Sequence, residues 1–553
     1  MGTIEGRGGF RLTHFLFSLL LLLSPVLLWA QWDDAPAELE WGARYSESQG
    51  SRVTKVVEVT PNAYYVLRQR PAGTFSYPKV FIEQYNSEQK LVRSQRLELK
   101  YKGKRRAFQD VVKIGGRFYF FTSFLNEAQK INYLFYQTLN DKLLPSRKLT
   151  KVSQIPAPNE GRPGNFNLLT SQDSSKVLIY SQLDSRNKEP ERFSLRVFDD
   201  QMQPIWGKEV TLPYNERQFE IEDYRLDDEG NVYLLGRQYI NGRRDSRGGL
   251  PNYQYNILAY VNKGEDKQEY RVEVGEKFIS DLTFRRGNNG ELVCAGFYSE
   301  QAADGAKGTC FFRINLESRK VYNVNFKEFD FGFRAQGLSG AGVRRAQRAE
   351  QENDEQREAE LFRYSLDRLI LRSDGGAVLV AEQYYVTEQF QRFQRNPFFW
   401  GDPFMWNDPM LNNQTDFIFH YNDIIVVNIR PDGSIEWASR IPKYQRTIND
   451  GGYFSSYAMA VVKDRLYFVF NDNSRNFESD GSTQLFNYNP RRSVIAIAEL
   501  RKDGELLMYP LLSNQQAGII ARPKICRQVG SRRMILYGER GRFYRFGELT
   551  FEK

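Results

Sequence analysis

The sequence predicts an all-β fold: a single eight-bladed β-propeller closed by an N-terminal strand. Three observations predict it. A phrase of strand, short turn and strand recurs along the chain, most clearly at Leu226–Gly236 (LDDEGNVYLLG), Arg372–Glu382 (RSDGGAVLVAE) and Val462–Asn471 (VKDRLYFVFN). Such internal repetition is the mark of stacked supersecondary units. The 32 Tyr and 40 Phe suit pleated, half-buried surfaces, and the 42 Gly are ample for turns. Finally, the last unit is one strand short, and a matching strand stands at the other end of the chain.

Each unit reads as four strands bounded by Gly, Asp, Asn or Pro. The first has Val53–Val59, Tyr64–Gln69, Lys79–Tyr85 and Val92–Leu99. The second has Phe108–Ile114, Arg117–Phe124, Ile131–Leu139 and a weaker Leu144–Thr150. The third includes Val177–Ser181, Phe193–Phe198 and Ile205–Leu212. The fourth has Phe219–Leu226, Val232–Arg237, Asn256–Val261 and Tyr270–Val274. The fifth has Ile279–Arg285, Leu292–Tyr298, Cys310–Leu316 and Val321–Phe326. The sixth runs from Leu361 to Tyr444 around a large insertion. The seventh has Tyr457–Val462, Leu466–Asn471, Val494–Leu500 and Leu506–Leu511.

The tail supplies only Pro523–Val529, Arg533–Gly538 and Tyr544–Phe551. The absent strand is Leu39–Tyr45 (LEWGARY), which resembles two segments assigned to outermost strands, Ile435–Ile441 (IEWASRI) and Ile205–Val210 (IWGKEV). Joining the two chain ends in one blade closes the ring and hides sheet edges. A seven-bladed ring is the alternative if one weak unit is not a blade. Residues 31–553 then form one propeller domain, with insertions at about 333–360 and 389–414.

The first 30 residues read as a secretory signal: Arg7 and Arg11, the apolar run Phe15–Leu28, then Trp29-Ala30-Gln31 as a cleavage site. That run is shorter than the roughly 20 apolar residues of a spanning helix, and no later segment could span a bilayer. The net charge is +9, or +8 once Glu5, Arg7 and Arg11 are removed with the signal. This is a mild excess with acids interspersed, and no nucleic-acid motif accompanies it. The sharpest basic cluster, Lys100–Arg106 (KYKGKRR), reads as a solvated connecting loop. Three cysteines, Cys294, Cys310 and Cys526, allow at most one bridge. The predicted register does not set Cys294 opposite Cys310.

Two stretches break the repeat. Ala341–Glu360, rich in Arg, Glu, Gln and Ala, reads as a solvated helix or a loop without order on the rim. Gln389–Gln414 carries Pro397, Pro403 and Pro409, which prevent a regular helix or central strand. Its Phe398, Phe399, Trp400, Phe404, Trp406 and Met410 are the candidate partner-binding residues, since aromatic and Met side chains give large contact area at interfaces. Covering a blade is the competing role for this loop, and glycan stacking on Trp400 or Trp406 is a third.

Little in the chain points to catalysis. His420 is the one histidine after the signal, which removes multi-His metal sites, and it stands in an apolar strand, Asp416–Tyr421. Asp227, Asp228, Asp374 and Asp432 lie in Asp-Gly-type turns, where Asp caps its own backbone. No catalytic residue, metal site or cofactor is assigned. Carboxylate pairs remain available for glycoside chemistry. A second candidate site, for a ligand, joins Asn449, Asp450 and Tyr453 to Asn471 and Asp472, with Asn422-Asp423 beside them. These are polar loops at adjoining strand ends, and turn stabilisation is their competing role.

Asp374–Tyr385 (DGGAVLVAEQYY), Asn422–Trp437 (NDIIVVNIRPDGSIEW), Ile441–Gln445 (IPKYQ) and Leu466–Asn473 (LYFVFNDN) resemble a group of exported Gram-negative β-propeller proteins, over nearly the whole mature chain. Asp228–Gly236 (DEGNVYLLG) resembles the turn of bacterial surface propeller repeats. The resemblance implies an envelope or surface propeller, in the periplasm or at the cell surface, and brings no catalytic residues. The expected function is therefore a non-enzymatic binding or scaffold protein of the cell envelope with a protein partner. A carbohydrate-binding or carbohydrate-active propeller is the alternative.

Overall fold

The computed structural model describes residues 35–47, 50–72, 77–157, 164–183, 189–215, 217–247, 249–272, 275, 277–287, 289–336, 338–352, 354, 358–390, 415–478 and 485–552. Residues 1–30, expected to be a signal, and the aromatic segment with Phe398, Phe399, Trp400, Phe404, Trp406 and Met410 lie outside the described residues.

Among the described residues, eight antiparallel sheets of four or more strands follow one another along the chain. The first seven have four main strands in sequence order, innermost to outermost. Alternating apolar residues on both faces of each sheet pack against the two neighbouring blades, so the core is a series of inter-blade layers. One such layer joins blades four and five through Tyr233, Leu235, Tyr255, Ile257, Phe284 and Phe312. Blade eight is completed by Ala37–Trp41, which pairs antiparallel with Phe543–Phe551 in the register Leu39↔Leu549. The expected closing strand is thus present, broken at Gly42 and resumed at Tyr45–Ser46. A Cβ at Gly42 would meet that of Gln89 at 2.4 Å, so only glycine passes there.

A second repeated contact locks the outer ring. Trp206, in the outermost strand of blade three, donates from its indole to the Gly230 carbonyl of blade four at 2.9 Å. Its ring fills the space that a Cβ at Gly264 would occupy. Trp437 of blade six does the same to blade seven, donating to the Lys502 carbonyl at 2.8 Å against Gly504.

Four expectations need correction. The outermost strand of blade two is Thr150–Pro156, not Leu144–Thr150. Asn140 takes the amides of Lys142 and Leu144 into a turn, and Leu143 is buried with a positive φ, so the chain is still turning at Leu144. Blade three has a short innermost strand, Asn167–Thr170, that its four residues are too few to signal. The first strand of blade eight is split into Ile520–Ala521 and Arg527–Gln528, because Pro523 opens a 3-10 turn instead of donating to a ladder.

The rim insertion is the fourth. It forms a helix, Gly340–Gln351, that is anchored and not merely solvated. The buried Arg334 guanidinium donates to the Phe329 and Ala359 carbonyls at 2.9 and 2.8 Å and to Glu350 at 3.0 Å. It also pairs with Glu328, while Lys307 holds Glu358 at 2.8 Å. The cysteines are free thiols: in the ladder Cys294 faces Phe312 and Cys310 faces Gly296.

Candidate functional site

Strand direction sorts the connections into two faces. On one, the turns are short: Asp227–Asn231, Arg372–Gly376, Arg430–Ser434 and Arg501–Glu505 each close by a backbone bond across four or five residues. Asp227, Asp374 and Asp432 serve these turns, accepting the Asn231, Gly376 and Ser434 amides at 2.7, 2.9 and 2.9 Å, and Asp228 accepts that of Asp173. The opposite face carries the long connections, among them the helical insertion. Binding surfaces gather on such loops over a rigid scaffold.

The sixth blade is the one that rises above this face. Its two central strands, Ala377–Phe390 and Thr415–Ile429, have 14 and 15 residues, against 8 to 10 in the other blades. The excess makes a ribbon of about 20 Å, widened by Gln445–Ile448 on the far side of the second strand. Register places Tyr384, Val386, Phe417 and Phe419 on one side of it, since Tyr384 faces Tyr421, Val386 faces Phe419 and Glu388 faces Phe417. Tyr384, Val386 and Phe417 are 39, 39 and 43% exposed. On the other side His420 stacks on Tyr385 at 4.3 Å and meets Thr387 at 3.1 Å. Burial and Arg446 hold its imidazole below the usual value, so it packs as a neutral ring.

The predicted ligand-site residues separate into three roles. Asn449 and Asp450 are exposed turn formers: Asn449 accepts the Phe417 amide at 2.9 Å, and Asp450 accepts from Thr447 and Gly452 at 2.6 and 2.8 Å. Asn471 is buried and donates to the Phe454 and Ala521 carbonyls, both at 2.8 Å, joining blades seven and eight. Asp472, also buried, accepts from the Asn473 amide and the Asn476 side chain at 2.8 and 2.7 Å, and burial pushes its carboxyl up to about 6. Tyr453 is half-buried and held between the guanidinium groups of Arg522 and Arg52 at 3.8 and 4.7 Å. Buried Lys443 reaches Glu382 and the Tyr421 carbonyl, both at 2.7 Å, and Ser456 donates to Glu382 at 2.7 Å.

The central channel, enclosed by the eight innermost strands, holds residues that the sequence reading passed over. In blades two, four, five and six the innermost strand carries one extra residue; in blade one it carries two, of which Thr54 is the first. Such bulges re-aim the side chain that follows. That residue is charged each time: Lys55, Asp110, Asp223, Asp281 and Arg368. The signal was available as a polar-then-charged doublet inside an apolar strand: Thr54-Lys55, Gln109-Asp110, Glu222-Asp223, Ser280-Asp281 and Asp367-Arg368. Several of these groups staple blades together. Lys55 pairs with Asp110 at 2.6 Å, Asp281 accepts the Leu366 amide at 2.8 Å, and Tyr457 donates to Asp367 at 2.7 Å. Burial raises the carboxyls of Glu222 and Asp367, and lifts that of Asp281 to about 7. The Glu222 carboxylate is paired with Arg237 at 2.9 Å, while Asp367 and Arg368 remain exposed.

Among the described residues, no group of three or more His, Cys, Asp or Glu side chains is placed to hold a metal ion. No helix among them is long and apolar enough to cross a membrane. No family model matches the chain, and no curated protein matches it. Solved structures similar in outline include the WD40 domain of SCAP from fission yeast, at 8% identity over 94% of this chain and 99% of that one, with a TM-score of 0.37. The β-propeller domain of the trilobed protease from Pyrococcus furiosus is 10% identical over 83% of this chain and 98% of its own, with a TM-score of 0.32. An α-L-arabinofuranosidase from Fusarium graminearum is 10% identical over 63% and 93%, with a TM-score of 0.27. At these scores the likenesses carry no functional argument.

Proposed function

We propose that this chain is a non-enzymatic binding protein of the bacterial cell envelope that docks a protein partner on the sixth-blade ribbon. The observation that carries the reading is the one-sided apolar strip of Tyr384, Val386 and Phe417 on strands that outgrow every other blade. Projecting strands with exposed aromatic and aliphatic groups lose water from apolar area when covered, and such patches mark interaction sites. The basic-then-apolar start of the sequence, Arg7 and Arg11 before Phe15–Leu28, supports export.

The test is cross-linking and mass spectrometry of the native protein in its envelope. It is repeated with Tyr384→Ser, Val386→Ser and Phe417→Ser combined, and with residues 391–414 removed. Loss of the cross-linked partner with unchanged circular dichroism supports the reading. Recovery of the same partners by both variants overturns it.

A second reading, carbohydrate binding or cleavage, is favoured by Glu222 and Asp367. Burial raises both carboxyl groups, as a group that protonates a leaving oxygen must be raised, with Glu222 paired to Arg237 and Asp367 accepting from Tyr457. A panel of polysaccharides that gives neither cleavage nor retention removes it.

A further inference from the structure

The second and third strands of blade four, Val232–Tyr239 and Tyr253–Val261, are joined by a loop on the face of long connections. The loop is built around one buried side chain. Asn252 donates to the Gly242 and Arg244 carbonyls at 2.9 and 2.8 Å and accepts the Asn241 amide at 3.2 Å. Within it, Ser246–Arg247 and Leu250–Pro251 pair as a small hairpin that sets Leu250 opposite Arg247. Charge is sorted in this loop. Arg237 holds Asp245 at 3.3 Å, and Glu220 takes Arg243. Arg244 and Arg247 are exposed, and among the described residues their side chains make no ion pair and no hydrogen bond. Two aliphatic side chains also stand in water here, Ile240 at 63% and Leu250 at 47% exposure. No large hydrophobic side chain among the described residues is more exposed than Ile240.

We propose that this loop, residues 240–251, docks on an anionic lipid surface. Ile240 and Leu250 enter the boundary between headgroups and acyl chains, and Arg244 and Arg247 pair with lipid phosphates. A guanidinium matches a phosphate in shape as well as charge. Attraction of basic groups to an anionic leaflet adds to the burial of aliphatic area at its boundary. The make-up of the loop decides between a lipid surface and a protein. A stable protein interface buries about 1,200 Å² or more around aromatic anchors seated in pockets. Residues 240–251 contain no aromatic side chain and form a two-stranded turn too narrow for such an area. A fluid lipid surface moulds itself to a narrow loop and needs no matching pocket. The bonds from Asn252 already fix the backbone, so little freedom is lost on contact.

The loop belongs to blade four, and its test is separate from that of partner docking on blade six. The whole chain is sedimented with vesicles of phosphatidylcholine and phosphatidylglycerol in equal parts, and with vesicles of phosphatidylcholine alone. The expected result is stronger binding to the anionic vesicles, weakened by added salt. Ile240→Ser with Leu250→Ser, and separately Arg244→Gln with Arg247→Gln, each lower the partition onto anionic vesicles by about tenfold. All four side chains are exposed, so both variants keep the circular dichroism of the wild type. Whatever the apolar run Phe15–Leu28 adds is common to every variant. Hydrogen exchange localises the contact: anionic vesicles slow the amides of residues 240–250 in the wild type. Equal partition of the wild type and both double variants, equal binding to the two kinds of vesicle, or unchanged exchange over residues 240–250 overturns the proposal.

Discussion

The Lys443 ammonium lies 2.7 Å from a Glu382 carboxylate oxygen, with both side chains inside the protein between blades six and seven. Lys443 also donates to the Tyr421 carbonyl and to Gln445, and Gln445 passes the contact on to the Asn471 carbonyl. Removing one member of a buried pair strands the other charge without water. Glu382→Gln is expected to cost about 3–5 kcal/mol, and Lys443→Met a comparable amount. The double variant should cost less than the two together, because the pair is coupled. Urea denaturation of the three variants checks this.

Ring closure makes a different demand. Ala37–Trp41 covers the edge of Phe543–Phe551, and the Arg545 guanidinium grips the Gly42 carbonyl at 3.0 Å. Deleting residues 35–46 bares that edge, an invitation to pair with another chain. The truncated protein should unfold at a lower temperature and self-associate in light scattering. A peptide of residues 35–47 supplied in trans should reverse both effects.

Asp472 gives a pH signature. Burial holds its folded pKa at about 6, above the roughly 3.9 of an unfolded aspartate. The unfolded state therefore releases its proton first. The stability this group contributes is complete below the unfolded value and is lost as pH rises through about 6. Asp472→Asn keeps the oxygen that accepts from Asn473 and Asn476 but does not titrate. The difference in unfolding midpoint, wild type minus variant, should fall between pH 4 and pH 7.

Legibility in the sequence followed physical strength of signal. Strands such as Val494–Leu500 and Leu466–Asn471 were readable because an apolar run bounded by turn residues has few other uses, and Leu39–Tyr45 because its Glu-Trp pattern recurs in Ile435–Ile441. Asn167–Thr170 was not, being four residues long. Arg334 shows what sequence conceals: its partners Phe329, Glu350 and Ala359 are set by how the insertion folds back, which no periodicity encodes. The Asn449 to Asp472 loops were readable as polar and adjoining. Polarity alone does not say that Asn471 ties two blades together while Tyr453 lies between two guanidinium groups.

The Trp437 clasp tests the outer ring. Gly504 has φ +87°, and a Cβ there would stand 2.9 Å from the indole ring. Gly504→Ala adds backbone strain and a clash, each costing on the order of 1–3 kcal/mol. Trp437→Phe keeps most of the apolar area but leaves the Lys502 carbonyl without its indole donor, a loss of about 1 kcal/mol. Gly504→Ala should therefore lower the unfolding midpoint more than Trp437→Phe.

Arg334 predicts a local effect instead of a global one. Its guanidinium ties Phe329 and Ala359, at either end of the insertion, to Glu350 in the helix between them, while the strands of blades five and six pair independently of it. Arg334→Met removes every one of these bonds and leaves Glu350 unpaired with Arg334. The helix Gly340–Gln351 buries only Ala346 and Ala349, too little apolar area to hold its place alone. Hydrogen exchange should then speed up across residues 331–352 of the variant and stay unchanged in the strands. Limited trypsin digestion should cut first at Arg344, Arg345 or Arg348. A uniform rise in exchange over all eight blades would mean instead that the insertion is part of the cooperative core.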